Sequence, residues 1–282
     1  MTIYHKLNQN TQGLKQAVKA HWEAEPCESR AGKNFQDRNQ YFREIDTYRY
    51  EKSSFIPGFA KFAEGIGRRV LEVGLGSGSD FIRWAQSGAS LWGRDLTVAS
   101  VRLVQERLML EGLEADVGLG DVEELEFPDD FFDIVYCYGV IHHTPDTHRA
   151  VAEIHRVLNS GGVARVMIYN ARGLTFFYQW VLFGLLKMQP WRSPREIAFY
   201  HNESLGTKLY SPKEARSLFS CFRTVDVQTV VDAGDTFNFE LSQRYRQVSL
   251  IRHLHRTLKF FRSLKPVLPA TLGTTMLIEA IK

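Results

Sequence analysis

Two adjacent histidines, His142 and His143, stand between an apolar segment and a Thr-Pro-Asp turn. An imidazole ring exchanges a proton near neutral pH, so either side chain could take the proton from a hydroxyl nucleophile. Packing, or capping of the following helix, is the alternative for each ring, because only one of two neighbours easily points into a site. The pair predicts acid–base chemistry, with His143 as the base and His142 as its helper or structural neighbour.

Three glycines at alternate positions, Gly74, Gly76 and Gly78, follow the apolar residues VLEV. Without a Cβ atom, the backbone can turn sharply after a strand and approach a ligand closely. A dinucleotide turn reads Gly-x-Gly-x-x-Gly, whereas here the third glycine comes one residue early and Ser79 takes its place. Glu72 would also be an awkward neighbour for a phosphate. The turn therefore predicts a cradle for a different small molecule, with an ordinary glycine turn as the alternative.

Five segments of the chain resemble class I S-adenosylmethionine (SAM) methyltransferases. The pattern Glu-x-Gly-x-Gly-x-Gly over residues 72–78 is similar to their first motif, and YGVIHHTPD over residues 138–146 resembles the loop of members that methylate sugars, sterols, quinones and other natural products. It does not resemble the Asn/Asp-Pro-Pro-Tyr loop of enzymes that methylate nitrogen in DNA or protein. With HWEAEPCESR, YFREIDTYRYEK and SLGTKLYSPKEARSLF, the resemblance to a bacterial, type 11 small-molecule group covers nearly the whole chain.

The resemblance implies SAM as cofactor and indicates which residues contact it. Asp95 ends a strand 21 residues after Gly74, where an acid that binds a ribose diol belongs, although it could instead cap a helix. Asp121 could accept a hydrogen bond from the adenine amine beside Val122, or be a turn residue. The implied cofactor residues are Glu72, Gly74, Leu75, Gly76, Gly78, Asp95, Leu96, Asp121, Val122, Gly139 and Val140.

Alternating strands and helices must position these residues. Apolar strands are predicted at VLEV, SLWGRDL, ADVGLGD, FFDIVYCYG and VARVMIYN, with helices over 79–88, from Thr97 to Gly112 and over 146–159. A helix opening at Ser211-Pro212 and strands FRTVDVQTVV and TMLIEAI follow. This order predicts a mostly parallel, Rossmann-like α/β sheet of seven strands with helices on both faces, and the resemblance implies an antiparallel last strand.

Three additions surround that core: a helical cap over residues 1–65, and insertions at about 171–209 and 233–272 of the domain 66–282. The uncharged run GLTFFYQWVLFGLL is too short for a bilayer span, which needs about 20 residues. It predicts the wall of an apolar pocket, a buried helix or a membrane-surface contact. The predicted acceptor-site residues are Tyr41, Tyr48, Arg49, Tyr138, Tyr169, Phe177 and Trp180.

Residues 244–265 carry seven Lys or Arg and no acid, at a spacing that predicts a basic amphipathic helix. A solvated surface is its first interpretation, with anionic lipid or an acidic partner as alternatives. The net charge of +3 and the lack of an RNA-binding module do not favour nucleic acid.

Three separate cysteines and an N-terminus without an apolar core favour a reducing, cytoplasmic setting and predict no metal site. The sequence thus predicts transfer of a methyl group from SAM to a small apolar or aromatic metabolite. Oxygen is the favoured acceptor atom, with nitrogen and carbon open. A membrane-associated lipid or quinone methyltransferase and a non-catalytic SAM-binding protein are the rivals. The oligomeric state is not indicated.

Overall fold

The computed structural model describes residues 11–232 and 268–282, together with Asp235, Ser249, Arg252, His253, Arg256 and Thr257. The predicted basic helix over 244–265 therefore lies outside the described residues, apart from five isolated positions.

Within the described residues, seven strands form one sheet in the order β3-β2-β1-β4-β5-β7-β6. The strands are β1 Arg69–Val73, β2 Ser90–Asp95, β3 Asp116–Leu119, β4 Phe132–Tyr138, β5 Leu158–Tyr169, β6 Thr224–Val230 and β7 Thr275–Ile281. Strands β1 to β5 run parallel, whereas β7 is antiparallel to both β5 and β6. The predicted fold class is confirmed, including the antiparallel last strand.

The α-helices are α1 Thr11–Ala24, α2 Arg38–Lys52, α3 Ile56–Ala60, α4 Ser79–Gln86, α5 Val98–Glu111, α6 Thr147–Val157, α7 Leu174–Trp180, α8 Pro194–His201 and α9 Pro212–Leu218. A π-helical turn, Val181–Leu185, continues α7. Short 3₁₀ turns cover Ser29–Gly32, Phe62–Gly65 and Ala270–Leu272. The helices predicted to begin at Thr97 and Ser211 are capped by these residues. The Thr97 side chain accepts from the Ser100 N–H, and Ser211 makes a capping box with Glu214.

The end of α6 differs from its prediction. The pattern predicts a helix through Asn159, but the helix ends at Val157 and β5 begins at Leu158. Leu158 pairs with Phe132 across a register shift between Phe132 and Ile134, so sheet pairing ends the helix early. The glycines of the Ser-Gly-Gly run then lie inside the long strand β5.

Helices α1 and α2 pack over the carboxyl ends of the parallel strands. Glu23 of α1 accepts hydrogen bonds from the Val98 and Ala99 N–H groups, which caps α5 from outside its own segment. Asp46 of α2 pairs with Arg107 of α5. These contacts hold the N-terminal helices against the edge of the sheet where ligands of open α/β folds bind.

Candidate cofactor and acceptor site

A cavity lies at the carboxyl ends of β1, β2 and β4, beneath α1 and α2. The predicted residues that line it are Arg49, Glu72, Gly74, Leu75, Gly76, Asp95, Leu96, Asp121, Val122, Tyr138, Gly139, Val140, His143 and Tyr169. Gly78 and His142 do not line it. The fold therefore brings together residues that lie up to more than one hundred positions apart in the sequence.

The glycine turn brings two loops into contact. Gly74 has φ of +79°. A Cβ atom there would lie 2.1 Å from Cγ2 of Val140, in the loop over residues 139–146 that carries His142 and His143 and that we call the histidine loop. Gly78 has φ of +82°, and its Cβ would lie 2.8 Å from Cγ2 of Val104 in α5. Gly74 thus permits the approach of the histidine loop, whereas Gly78 permits close packing of α5. The cofactor contact predicted for Gly78 remains a prediction.

Glu72 lies buried at the wall of this cavity. Its Oε2 atom has no hydrogen-bond partner among the residues that the structure describes. Burial, with the nearby Asp80 carboxylate, raises the pKa of Glu72 well above its usual range. A positively charged ammonium or sulfonium group in the cavity would offset the free-energy cost of ionising this buried carboxyl group. The site therefore fits the cationic methionine end of SAM.

Glu72→Gln is expected to stabilise the ligand-free protein at pH 8, by about 1 kcal/mol, while weakening SAM binding. The folded pKa of Glu72 is raised, so its contribution to stability is complete below the unfolded value of 4.5 and is lost as the pH rises through the folded pKa. Thermal melts should show a gain for the glutamine variant that grows from pH 5 to pH 9. A gain independent of pH, or one matched by Glu124→Gln at the surface, would contradict this account.

Asp95 organises the glycine turn as well as lining the cavity. Its Oδ2 accepts from the Leu75 N–H at 2.8 Å and the Gly76 N–H at 3.4 Å, and its Oδ1 accepts from the Thr97 N–H at 2.8 Å. Burial raises the pKa of Asp95, against the opposing effect of these hydrogen bonds. The helix cap itself is Thr97, so Asp95 remains a candidate for the ribose diol, and that role stays a prediction.

Asp121 has a partner that the sequence did not indicate. Lys15 of α1 lies 2.5 Å from its Oδ2, and the Glu123 N–H donates to its Oδ1. Asp121 is thus a turn residue and one side of an ion pair at the cavity, next to the buried Val122. Its predicted contact with the adenine amine remains a prediction.

The two histidines occupy different environments. His142 is fully buried and packs against the Tyr169 ring, with centroids 4.2 Å apart. Neither of its ring nitrogens has a hydrogen-bond partner among the described residues, and burial lowers its pKa well below 6.5. This environment favours the packing alternative for His142. His143 lines the cavity instead.

Polar contacts hold both nitrogens of His143. Its Nδ1 lies 2.9 Å from Oγ of Ser204 and 3.1 Å from Oγ1 of Thr207. Its Nε2 lies 3.4 Å from Oε2 of Glu203. Lys208 donates to the Thr144 and Pro145 carbonyls, both at 2.6 Å, so the segment 203–208 braces the whole histidine loop.

Glu203 is a candidate functional residue that sequence reasoning missed. Its backbone has φ of +44°, an unusual value for glutamate, and the Tyr169 hydroxyl donates to it at 2.8 Å. Burial raises its pKa, but hydrogen bonds and charges from His143, Lys52 and Tyr169 outweigh burial and lower it to about 2. The carboxylate therefore stays ionised beside His143. The resemblance used SLGTKLYSPKEARSLF, which begins at Ser204, one residue after Glu203. The signal that could have indicated Glu203 is the polar stretch NESLGTK.

An ion-pair network closes the cavity from α2. Arg49 donates to both carboxylate oxygens of the buried Asp80 and, at 2.9 Å, to Glu28. The Tyr136 hydroxyl also donates to Asp80 at 2.7 Å, and the Arg49 guanidinium lies 4.9 Å from the Tyr138 ring centroid. Arg49 thus lines the cavity, and its predicted role in acceptor binding remains a prediction. No sequence pattern indicated Asp80 as its partner.

A second cavity shares Trp22, Cys27, Glu28, Lys52, Tyr169, Glu203 and Asp232 with the first. Tyr48 lines it, and so do Phe176, Leu182 and Phe183 of the aromatic insertion. Tyr41, Phe177 and Trp180 line neither cavity. Tyr41 packs against Gly32 and Phe42, and Phe177 stacks on Trp180 at the outer side of the insertion. Their predicted roles in acceptor binding remain predictions.

The described residues hold no group of three or more His, Cys, Asp or Glu suited to a metal ion. None of the helices in the described part of the chain is long and apolar enough to cross a membrane.

The sheet order, the glycine turn and the acidic residues at the strand ends define a class I SAM-dependent methyltransferase fold. Residues 71–166 match the type 11 methyltransferase family, described as "Methyltransferase domain". This region is therefore similar to a methyltransferase domain of that type, and the similarity implies SAM as the cofactor.

Curated relatives are similar over part of their length. Phthiotriol/phenolphthiotriol dimycocerosates methyltransferase 1 of Mycobacterium ulcerans is 41% identical over 105 residues, which are 36% of this chain and 38% of that protein. Ubiquinone/menaquinone biosynthesis C-methyltransferase of Bordetella avium is 32% identical over 130 residues, 44% of this chain and 50% of the relative. The chain thus spans half or less of these relatives.

Solved structures show the same fold. A SAM-dependent methyltransferase of Aquifex aeolicus aligns with a TM-score of 0.50 at 14% identity, over 88% of this chain and 99% of that one. Another, from Mesorhizobium loti, aligns with a TM-score of 0.51 at 14% identity, over 82% and 98%.

Proposed function

We propose that this protein transfers a methyl group from SAM to a hydroxyl oxygen of a small, apolar or aromatic metabolite of lipid or quinone type. One observation carries the proposal. The cavity that holds the glycine turn, Glu72 and Asp95 also holds the pair of His143 and Glu203. A cationic cofactor site and a candidate base therefore face the same space.

The contacts of Thr207 and Ser204 support the assignment of Nε2 as the basic nitrogen of His143. The Thr207 hydroxyl has one hydrogen, and it lies 2.9 Å from the Asn202 carbonyl and 3.0 Å from the Ser204 carbonyl, which only accept. We assign the Thr207 hydrogen to one of these carbonyls, so that Oγ1, like Oγ of Ser204, accepts from Nδ1–H of His143. In this tautomer of the neutral ring, Nε2 carries the lone pair that takes the proton of the acceptor hydroxyl.

Glu203 supplies the charge that general-base catalysis needs at this position. When Nε2 takes the hydroxyl proton, the ring becomes an imidazolium beside an ionised carboxylate 3.4 Å away. This ion pair stabilises the charge that develops in the transition state. Tyr169 holds the Glu203 carboxylate in place through its hydroxyl.

Glu72, Asp95 and the glycine turn would hold the cofactor. When bound, SAM supplies a methyl group on a positively charged sulfur, and this sulfur leaves as a neutral thioether when the new O–C bond forms. His143 holds the proton that the acceptor oxygen loses. Residues of helices α1 and α2 line the cavity on the side away from the strands.

The proposed class of acceptor rests on the lining of the second cavity and on the names of the relatives. Apolar side chains of the aromatic insertion line one side of that cavity, which suits an apolar acceptor. The two relatives are named for phthiotriol dimycocerosates and for ubiquinone or menaquinone biosynthesis, and this supports an acceptor of lipid or quinone type.

Methyl-labelled SAM, incubated with the protein and a lipid extract or a set of hydroxylated quinols, tests the proposal. We expect label in a methyl ether, identified by mass spectrometry and by the carbon shift of the methyl group. Label on a ring carbon would replace oxygen by carbon as the acceptor. SAM binding without transfer to any acceptor would favour the non-catalytic binding protein.

A further inference from the structure

The second cavity carries a pair of buried amide side chains. Gln179 lies on α7, within the aromatic insertion, and Asn202 directly follows α8. Both residues line the second cavity, and they are only 9% and 8% exposed. Nε2 of Gln179 donates to Oδ1 of Asn202 at 2.8 Å. This hydrogen bond joins the aromatic insertion to the residue that precedes Glu203.

Each of the two amides keeps one polar group without a partner. Oε1 of Gln179 and Nδ2 of Asn202 have no hydrogen-bond partner among the residues that the structure describes. Turning both amide planes over exchanges the roles of the two side chains but again leaves one carbonyl oxygen and one NH₂ group. Turning only one of them would place like groups against each other. In either assignment, the pair therefore offers one acceptor and one donor.

The free groups of the amide pair are complementary to a hydroxyl group. Buried polar groups that stay unpaired are costly, so a ligand that pairs with them binds more tightly. A hydroxyl group donates one hydrogen bond and accepts others, and it can therefore satisfy both the carbonyl oxygen and the NH₂ group. An ether or ketone oxygen only accepts, and it would leave the carbonyl oxygen of the pair without a donor.

The amide pair lies beside the proposed reaction site. Asn202 and Glu203 are neighbours in the chain and both line the second cavity, whereas Glu203 also lines the first cavity and contacts His143. Phe176 and Phe183 give the second cavity an apolar wall. An acceptor with one hydroxyl at His143 can therefore extend along apolar side chains to the amide pair.

We propose that Gln179 and Asn202 form a subsite for a second hydroxyl group of the acceptor. The acceptor is then a diol or a dihydric phenol, and it is methylated on the hydroxyl that lies at His143. The inference rests on the proposed function for the position of that first hydroxyl. The amide pair supplies selectivity, because a compound whose second oxygen is an ether leaves a buried group of the protein unpaired.

Binding of 1,8-octanediol, its monomethyl ether and its dimethyl ether, measured by calorimetry, tests the subsite without methyl transfer. The flexible chain of these probes does not fix the distance between their two oxygens. In the parent protein, we expect each hydroxyl to tighten binding by about tenfold. In the double variant Gln179→Met/Asn202→Leu, the diol and the monomethyl ether should differ by less than about twofold, and the dimethyl ether should stay about tenfold weaker.

The double variant keeps the approximate sizes of the side chains and removes both unpaired groups. The ligand-free variant should therefore melt at the same temperature as the parent or higher, and it should bind SAM like the parent. Gln179→Met alone removes the amide carbonyl oxygen and should also abolish the second tenfold step, so the test does not depend on one variant. Gln105→Met, at an exposed position of α5, is the matched control and should keep both steps.

The pattern of hydroxyl effects separates this subsite from the proposed function. Two tenfold steps that persist in the double variant, or an absence of any hydroxyl effect in the parent, would overturn the subsite. A single step in the parent that the double variant removes would support the subsite and contradict the hydroxyl contact at His143. A single step that the double variant keeps would overturn the subsite and leave the contact at His143 in place.

Discussion

Replacement of His143 by glutamine is expected to lower kcat by about 10²- to 10⁴-fold, the usual contribution of a general base, while the Kd for SAM stays within twofold. Glutamine preserves much of the side-chain volume between Trp22 and Tyr169, but its amide does not take up a proton at neutral pH. Single-turnover rates and calorimetric SAM binding separate the two effects. A fully active variant would eliminate the base hypothesis.

Neighbouring variants distinguish a base from a packing residue. Glu203→Gln should lower kcat by about tenfold, because it removes the charge beside the imidazolium but keeps the shape. Thr207→Ser should retain the acceptor for Nδ1–H and most of the activity, whereas Thr207→Val should not. His142→Phe is the matched control on the other ring. It should keep kcat, since His142 packs without a hydrogen-bond partner among the described residues.

Asp95→Asn is expected to raise the Kd for SAM at least tenfold, and up to about 100-fold if both ribose hydroxyls bind this carboxylate. The asparagine keeps the size of the side chain but loses the charge and one acceptor oxygen. Calorimetry on the purified variant measures the effect. An unchanged affinity would overturn the ribose assignment.

Asp95 also holds the glycine turn. A loss of SAM affinity alone therefore does not show whether the substitution acts through the ribose or through the turn. An analogue of the cofactor product without ribose hydroxyls separates the two roles. The parent protein should discriminate against this analogue, and Asp95→Asn should bind both forms almost equally. If the loss of affinity came only from a disturbed glycine turn, the substitution would raise the Kd of both ligands by the same factor. Asp129→Asn, which removes an exposed acid of a surface ion pair, should change neither affinity.

Local patterns in the sequence were sufficient for the sheet and its helices. Apolar runs, glycine positions and caps act over a few residues, and this is why the strands and the helices that begin at Thr97 and Ser211 form where they were predicted. The error at the end of α6 has a long-range cause, because pairing of Leu158 with Phe132 decided it.

Within the site, the sequence indicated the residues at strand ends, such as Asp95 and His143, because parallel strands bring their carboxyl ends to one edge. It could not indicate partners that packing brings together from distant segments. Lys15 with Asp121, Arg49 with Asp80, and Glu203 with His143 are such pairs.

The sequence by itself determined the class of fold, the cofactor and the loop that carries the two histidines. The tertiary structure decided which histidine faces the cavity, because Ser204 and Thr207 hold the Nδ1 atom of His143 while Tyr169 packs on His142. It also decided that the aromatic insertion has an inner side toward a cavity and an exposed outer face. Side-chain direction depends on how separate elements pack, and no local pattern encodes it.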